Sequence, residues 1–309
     1  MSFNIEIYLN SLPSNVTIID ISYKNISVIP DLSRFTNLQQ LYCNNNKIRQ
    51  LPKLNSSIVK LDCSYNKITN LPELNSELKI LICTVNRLTE LPSFNKKLQK
   101  IHCNKNSIIK LPEFNAELLE IYCSNNKITY LPTFNEKLQK IYCSNNELTQ
   151  LPELNKEITH LVCSENKISI LPNLTPKISI FNCSYNELCE LPCLSTEMKE
   201  LYCSNNKLIS LPNLNDKMQK LYCNNNMITK LPELNENMLE LSCINNSLVM
   251  IPTLNLKLTK LFCCNNKLTS LPVLNEELIE LYCSNNEFSY LQICNLRNQY
   301  CKSKIISLY

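Results

Sequence analysis

Apolar and polar residues alternate along residues 40–44, with Leu41 and Cys43 apolar and Gln40, Tyr42 and Asn44 on the other parity. Alternation at period two is the signature of a strand with one face buried, so a short strand is expected over 40–44 with 41 and 43 turned inward. The same pattern returns every twenty residues. The hydrophobe at 41 recurs from Leu61 to Leu281, Cys43 recurs without exception to Cys283, and Asn46 recurs without exception to Asn286. Leu51-Pro52 recurs as Leu-Pro or Ile-Pro until Leu291-Gln292. A strict period of this length means stacked coils, each burying its apolar face against its neighbours.

The return path of each coil carries hydrophobes at 48, 51 and 54. Proline at 52 removes a backbone donor and fixes φ, so the return is expected to be extended or polyproline-like, with little helix anywhere. The asparagine at 46 closes the strand, because its amide both donates and accepts where backbone groups are left over. Thirteen repeats span 38–291. Residues 16–37 form a degenerate repeat of twenty-two, in which Val16, Ile19, Ile21, Ile26, Ile29 and Pro30 align with Leu38, Leu41, Cys43, Ile48, Leu51 and Pro52. Residues 1–15 and 292–309 break the frame and are expected to cap the two ends, the second through Ile293, Leu296, Tyr300, Ile305, Ile306 and Leu308. A constant period leaves no place for a boundary, so one elongated domain is expected.

Composition narrows the chemistry. Of the eighteen cysteines, thirteen occupy the column of Cys43. There they act as small buried hydrophobes, reduced in a cytosol-like compartment, although adjacent strands roughly 4.8 Å apart leave pairing between neighbours open. The start of the chain has no basic n-region and no apolar h-region, and no run of eighteen apolar residues occurs, so a cytoplasmic location without membrane contact is expected. The net charge of +4 is spread over repeats of mixed sign, which argues against a nucleic-acid partner.

Glycine is absent from all 309 residues. A phosphate-binding loop, a dinucleotide fingerprint and a nucleophile elbow are therefore excluded. His102 and His160 are the only histidines, three strands or roughly 14 Å apart. Cys103 follows His102 but points to the other face, and Cys264 is five repeats from His160, so no Cys-His pair is expected. Cys189 and Cys193 lack the second pair or histidine that a zinc site needs. Whether Cys294 and Cys301 pair is left open. No catalytic residue, metal or cofactor is expected.

Function then falls to the outward strand positions. Position 42 carries aromatic pairs on adjacent strands at 122/142, 202/222 and 262/282. Tyr42, Tyr122, Tyr142, Tyr202, Tyr222, Phe262 and Tyr282 are the candidate partner-binding residues, since such rings offer contact area at little entropic cost. The rings could equally cover the sheet and stack on one another. Position 40 alternates in sign over Glu200, Lys220, Glu240, Lys260 and Glu280, predicting a lateral ladder of opposite charges and a nearly neutral, aromatic surface suited to a protein.

The frame L-x-x-L-x-C-x-x-N-x-L-x-x-L-P-x-L resembles the leucine-rich repeat family, and its length and Leu-Pro element resemble the short, bacterial-effector class. The resemblance implies a curved horseshoe with a parallel sheet on the concave side and, commonly, recognition of another protein through that face. It also leaves two alternatives: a substrate-specificity module for an enzyme such as a ubiquitin ligase supplied in trans, or a structural component of an assembly. A monomer is expected. The asparagine-rich, glycine-free composition also resembles that of repeat proteins from large DNA viruses of amoebae, in which case the compartment would be the host cytoplasm.

Overall fold

The computed structural model describes residues 3–292, Cys294 and the backbone of residues 305–307. Of the expected C-terminal cap and tail, Ile293, Leu296, Tyr300, Cys301 and Leu308 lie outside the described residues. Contacts divide the chain into two compact units, Met1–Ile158 and Thr159–Tyr309. The first holds helix α1 (Ile5–Ser11), then β1 (Ile18–Asp20), β2 (Gln40–Tyr42), β3 (Lys60–Asp62), β4 (Ile80–Ile82), β5 (Lys100–His102), β6 (Glu120–Tyr122) and β7 (Lys140–Tyr142). The second holds β8 (His160–Val162), β9 (Ile180–Asn182), β10 (Glu200–Tyr202), β11 (Lys220–Tyr222), β12 (Glu240–Ser242), β13 (Lys260–Phe262), β14 (Glu280–Tyr282) and β15 (Ile305–Ser307).

Within each unit every strand pairs in parallel with the next, one repeat on, as in Glu120↔Lys140 and Glu200↔Lys220. The degenerate repeat enters with Ile19 opposite Leu41, twenty-two residues on, and β15 pairs with β14 beyond the last repeat. At the other end Asn4 caps α1 by accepting from Glu6 N–H and Ile7 N–H, and Leu9 is buried. Arg34 ties this helix down, donating to Leu9 O while its guanidinium lies 4.4 Å from the Phe35 ring.

The core is the set of columns read from the sequence. Leu41, Cys43 and Ile48 and their equivalents, from Leu61 to Leu281, Cys63 to Cys283 and Ile68 to Leu268, are fully buried. The column that starts at Leu38 joins them and includes a run of three methionines, Met198, Met218 and Met238. Among the described residues the returns are non-helical until the last, where Tyr290, Leu291 and Gln292 turn into a helix. The strands are shorter than the alternation predicts, ending at 42 rather than 44. Side chains keep their parity through Cys43, and Cys43 N–H still donates to Asp62 O at 2.8 Å, but by Asn45 the chain has turned into the left-handed region at φ 57°.

Asn46 and its equivalents carry that turn. Asn126 donates from Nδ2 to Cys103 O at 3.1 Å, Cys123 O at 2.9 Å and Ser124 O at 3.4 Å, while its Oδ1 accepts from Ile108 N–H at 3.0 Å. One amide thus joins two coils and satisfies backbone groups that no strand or helix could pair. A second asparagine ladder, unremarked in the alternation, runs along the returns from Asn55. Asn115 donates to Asn95 O at 2.6 Å and Leu98 O at 3.0 Å, and Asn135 repeats the bond to Asn115 O. It lapses at Thr175 and Ser195, where Thr175 Oγ1 is buried without a hydrogen-bond partner among the described residues and Ser195 Oγ donates to Pro176 O.

Position 45 has positive φ in every repeat, with no glycine to relieve it. Asparagine, which tolerates that region, takes it in most repeats. Val85, at φ 55°, does not belong to that class, because a β-branched side chain crowds the backbone there.

Three outcomes are expected. Asn126→Ala should lower stability by roughly 1–3 kcal/mol in chemical denaturation, since several backbone groups lose their partner at once. Val85→Asn should raise it by about 1 kcal/mol by relieving the left-handed strain. The thirteen column cysteines are buried, and burial pushes the Cys103, Cys163 and Cys223 thiols up to about 12. Only thiolates alkylate at an appreciable rate. Native protein treated with iodoacetamide at mild alkaline pH should therefore be modified at exposed Cys189 and Cys193, the column reacting only after unfolding, as peptide mass mapping will report.

Candidate functional site

From β2 to β14 each strand turns its middle side chain into the core and leaves the flanking two half-buried on the opposite face, apart from the fully buried Ser242 of β12. Columns 40 and 42 therefore share one surface, as the parity of a strand requires. All seven candidate aromatics lie there half-buried. Tyr42, Tyr122 and Tyr142 belong to the first unit, and Tyr202, Tyr222, Phe262 and Tyr282 to the second.

The structure gathers them into clusters rather than one column. In the first unit the His102 ring lies 4.3 Å from Tyr122, whose ring stacks on Tyr142 at 4.6 Å and 9°. Tyr42 stands apart, its hydroxyl donating to Gln40 Oε1 at 2.7 Å and its ring 5.0 Å from Lys60 Nζ. In the second unit Tyr202 stacks on Tyr222 at 5.2 Å, and Phe262 lies tilted against Tyr282 at the same distance. Ser242, fully buried, interrupts the two pairs. Each paired ring thus turns one face to its neighbour, and Tyr122 has a ring on both sides.

Carboxylates of column 40 hold those hydroxyls. Tyr122 donates to Glu120 at 3.4 Å, Tyr202 donates to Glu200 at 2.7 Å, and Tyr222 reaches across to Glu240 on the next strand. Burial, then the Glu120 carboxylate, pushes the Tyr122 phenol up to about 12. Burial, followed by the bond to its glutamate, likewise pushes Tyr202 and Tyr222 up. These phenols stay protonated as donors. Burial lowers His102 from its ordinary 6.5, against the opposing pull of Glu120, favouring a neutral imidazole on the Tyr122 ring.

The charge ladder is present in pairs. Glu120 lies 3.1 Å from Lys100 and 3.6 Å from Lys140; burial alone would raise its carboxyl, and the two lysines outweigh that and hold it below the usual range. Lys220 pairs with Glu200 at 3.4 Å and Lys260 with Glu280 at 3.3 Å, while Glu240 takes the Tyr222 hydroxyl. A second alternating column on the returns escaped the sequence reading although its period is the same. There Lys97 meets Glu77 at 2.7 Å, Lys137 meets Glu117 at 2.6 Å and Lys217 meets Glu197 at 2.6 Å. Exposed pairs of this kind contribute roughly 0–1 kcal/mol each, so both columns chiefly keep like charges apart.

The two histidines fall in different units, and the Thr159 hydroxyl lies 2.9 Å from His160 Nδ1. Cys103 is buried beneath the sheet face that carries His102. Among the described residues no three metal-ligating side chains gather, and no helix is long and apolar enough to cross a membrane.

The family model described as Leucine Rich repeats (2 copies) matches residues 14–56. No curated protein sequence matches significantly. Among solved structures, the chain is similar to YopM, a leucine-rich effector protein from Yersinia pestis, with a TM-score of 0.78 and 27% identity, covering 88% of this chain and 84% of that one. YopM from Yersinia enterocolitica gives a TM-score of 0.69 at 26% identity, over 90% of this chain and 75% of that one. The functional domain of InlJ from Listeria monocytogenes, which includes a cysteine ladder, gives 0.71 at 27%, over 88% and 68%. With these matches beside the twenty-residue period of its own coils, the chain is similar to leucine-rich-repeat proteins and resembles those of the short, bacterial-effector-like class.

Proposed function

We propose that the chain is a non-enzymatic scaffold that binds another protein through the strand face bearing columns 40 and 42, the face that the resemblance to leucine-rich repeats makes concave. The observation that carries this reading is the arrangement of that face. It presents half-buried tyrosines whose rings are fixed by stacking and whose hydroxyls are fixed by carboxylates, so little side-chain entropy is lost on contact. Leucine-rich repeats in general serve as protein-interaction scaffolds. Paired charges leave the face close to neutral, which suits a protein surface better than a polyanion. The reading places the protein as a monomer in a reducing cytoplasm, where the column thiols stay reduced. Catalysis has no part in it.

The test is affinity capture with the intact protein and with a variant carrying Tyr122→Ser, Tyr142→Ser, Tyr202→Ser and Tyr222→Ser. The captured partner should then be purified and titrated against both. Serine is already borne at this strand position by Ser242, so folding should survive, as circular dichroism will check. The expected result is a partner whose affinity falls at least ten-fold with the variant; unchanged affinity in a folded variant removes the tyrosine face from the account.

A further inference from the structure

A groove of about 370 Å³ opens in the second unit, at the ends of β9, β10 and β11 where the chain turns away from the strand face. Its walls come from positions 42, 44 and 45 of successive repeats. No lysine or arginine lines it, and Glu165 at one rim is its single charged group. An anion would find no counter-charge there.

What the groove offers is neutral hydrogen-bonding capacity that the protein leaves unused. Asn182 engages its Oδ1 with Ser184 N–H at 3.0 Å, and its Nδ2 donors have no protein acceptor among the described residues. Asn224 uses its Oδ1 twice, on Ser242 Oγ and Ile244 N–H, and again leaves its Nδ2 without a protein acceptor. Elsewhere in column 45 neighbouring asparagines join amide to amide, as Asn145 does with Asn125 and Asn285 with Asn265. Asn205 has no such neighbour before it, because Tyr185 holds that place, and its side-chain amide makes no protein hydrogen bond among the described residues. Tyr185, 58% exposed, adds an aromatic wall.

Donor-rich amides, buried hydroxyls and an exposed ring without charge match a ligand dense in uncharged oxygen acceptors. We infer that this groove is a binding site for a neutral oligosaccharide. Sugar hydroxyl and ring oxygens accept from the asparagine amides, and the apolar face of a pyranose lies against Tyr185. The half-buried Tyr202 and Tyr222 rings border the groove on its strand side, and amides and hydroxyls make up most of the remaining lining. Three strand spacings separate its ends, roughly 14 Å, which suits a short linear chain rather than a single sugar. The groove shares Tyr202 and Tyr222 with the partner-binding face, so its test uses Asn182 and Asn205, neither of which the partner-binding reading invokes.

Purified protein should be titrated with uncharged trisaccharides, namely chitotriose, cellotriose, maltotriose and mannotriose, and with an uncharged peptide of glycine, serine and alanine. Binding is read by saturation-transfer NMR and by tyrosine fluorescence, which no tryptophan obscures. Two variants accompany it: Asn182→Val, at a position that accepts Val162 and Ile82, and Asn205→Asp, which keeps the left-handed turn but removes the amide donors. At least one trisaccharide is expected to bind saturably, with a loss of ten-fold or more in each folded variant. Absence of saturable binding to all four sugars, binding of the peptide alone, or sugar binding indifferent to both variants overturns the inference. Loss of the sugar site with the partner of the tyrosine face retained separates this proposal from the preceding one.

Discussion

The structure depends on one recurring constraint: where a three-residue strand ends, backbone groups must be satisfied without a helix or a longer ladder to do it. The side-chain amide of the invariant asparagine meets that need, with Nδ2 on carbonyls of its own and the preceding coil and Oδ1 on a return N–H. Buried unpaired backbone groups cost far more than an ordinary hydrogen bond contributes, so the residue tolerates no substitute in thirteen repeats. The left-handed turn at position 45 follows directly. It brings residue 46 back beneath the strand, and the chain accepts non-glycine residues there, even Val85, because the ladder around them fixes the backbone.

The outward face inherits this regularity. In-register strands place like positions beside one another, so a tyrosine above a tyrosine stacks and a glutamate beside a lysine pairs. Stacking decides what a partner meets. Each paired ring gives one face to its neighbour, and the carboxylates that accept from the Tyr122 and Tyr202 hydroxyls fix their direction. The aromatic column is therefore a more polar surface than its composition implies. It is broken by Ser242 into separate clusters, with the amide-lined groove beside the Tyr202–Tyr222 pair.

Much of this was legible in the chain. The buried columns at 41, 43 and 48, the parallel order and the outward parity of 40 and 42 all follow from periodicity, because a coil that must stack on its copies exposes the same positions each time. The ladder from Asn55 and the charge column from Glu77 carried an equally regular signal and were missed, since they lie on the irregular return where no alternation draws attention to them. Strand length was overread. Parity persists through Cys43, but pairing stops once Asn45 turns.

The sequence by itself determined the period, the buried columns and the identity of the residue that closes each strand, because burial and polar satisfaction act on residue type and repeat with it. Only the tertiary structure decided the rest: that Tyr222 reaches Glu240 on the next strand whereas Tyr202 keeps Glu200 on its own, and that among the described residues Thr175 Oγ1 and the Asn205 amide find no hydrogen-bond partner. Those outcomes depend on rotamers and on which neighbour stands one coil away, and a repeated pattern carries no record of either.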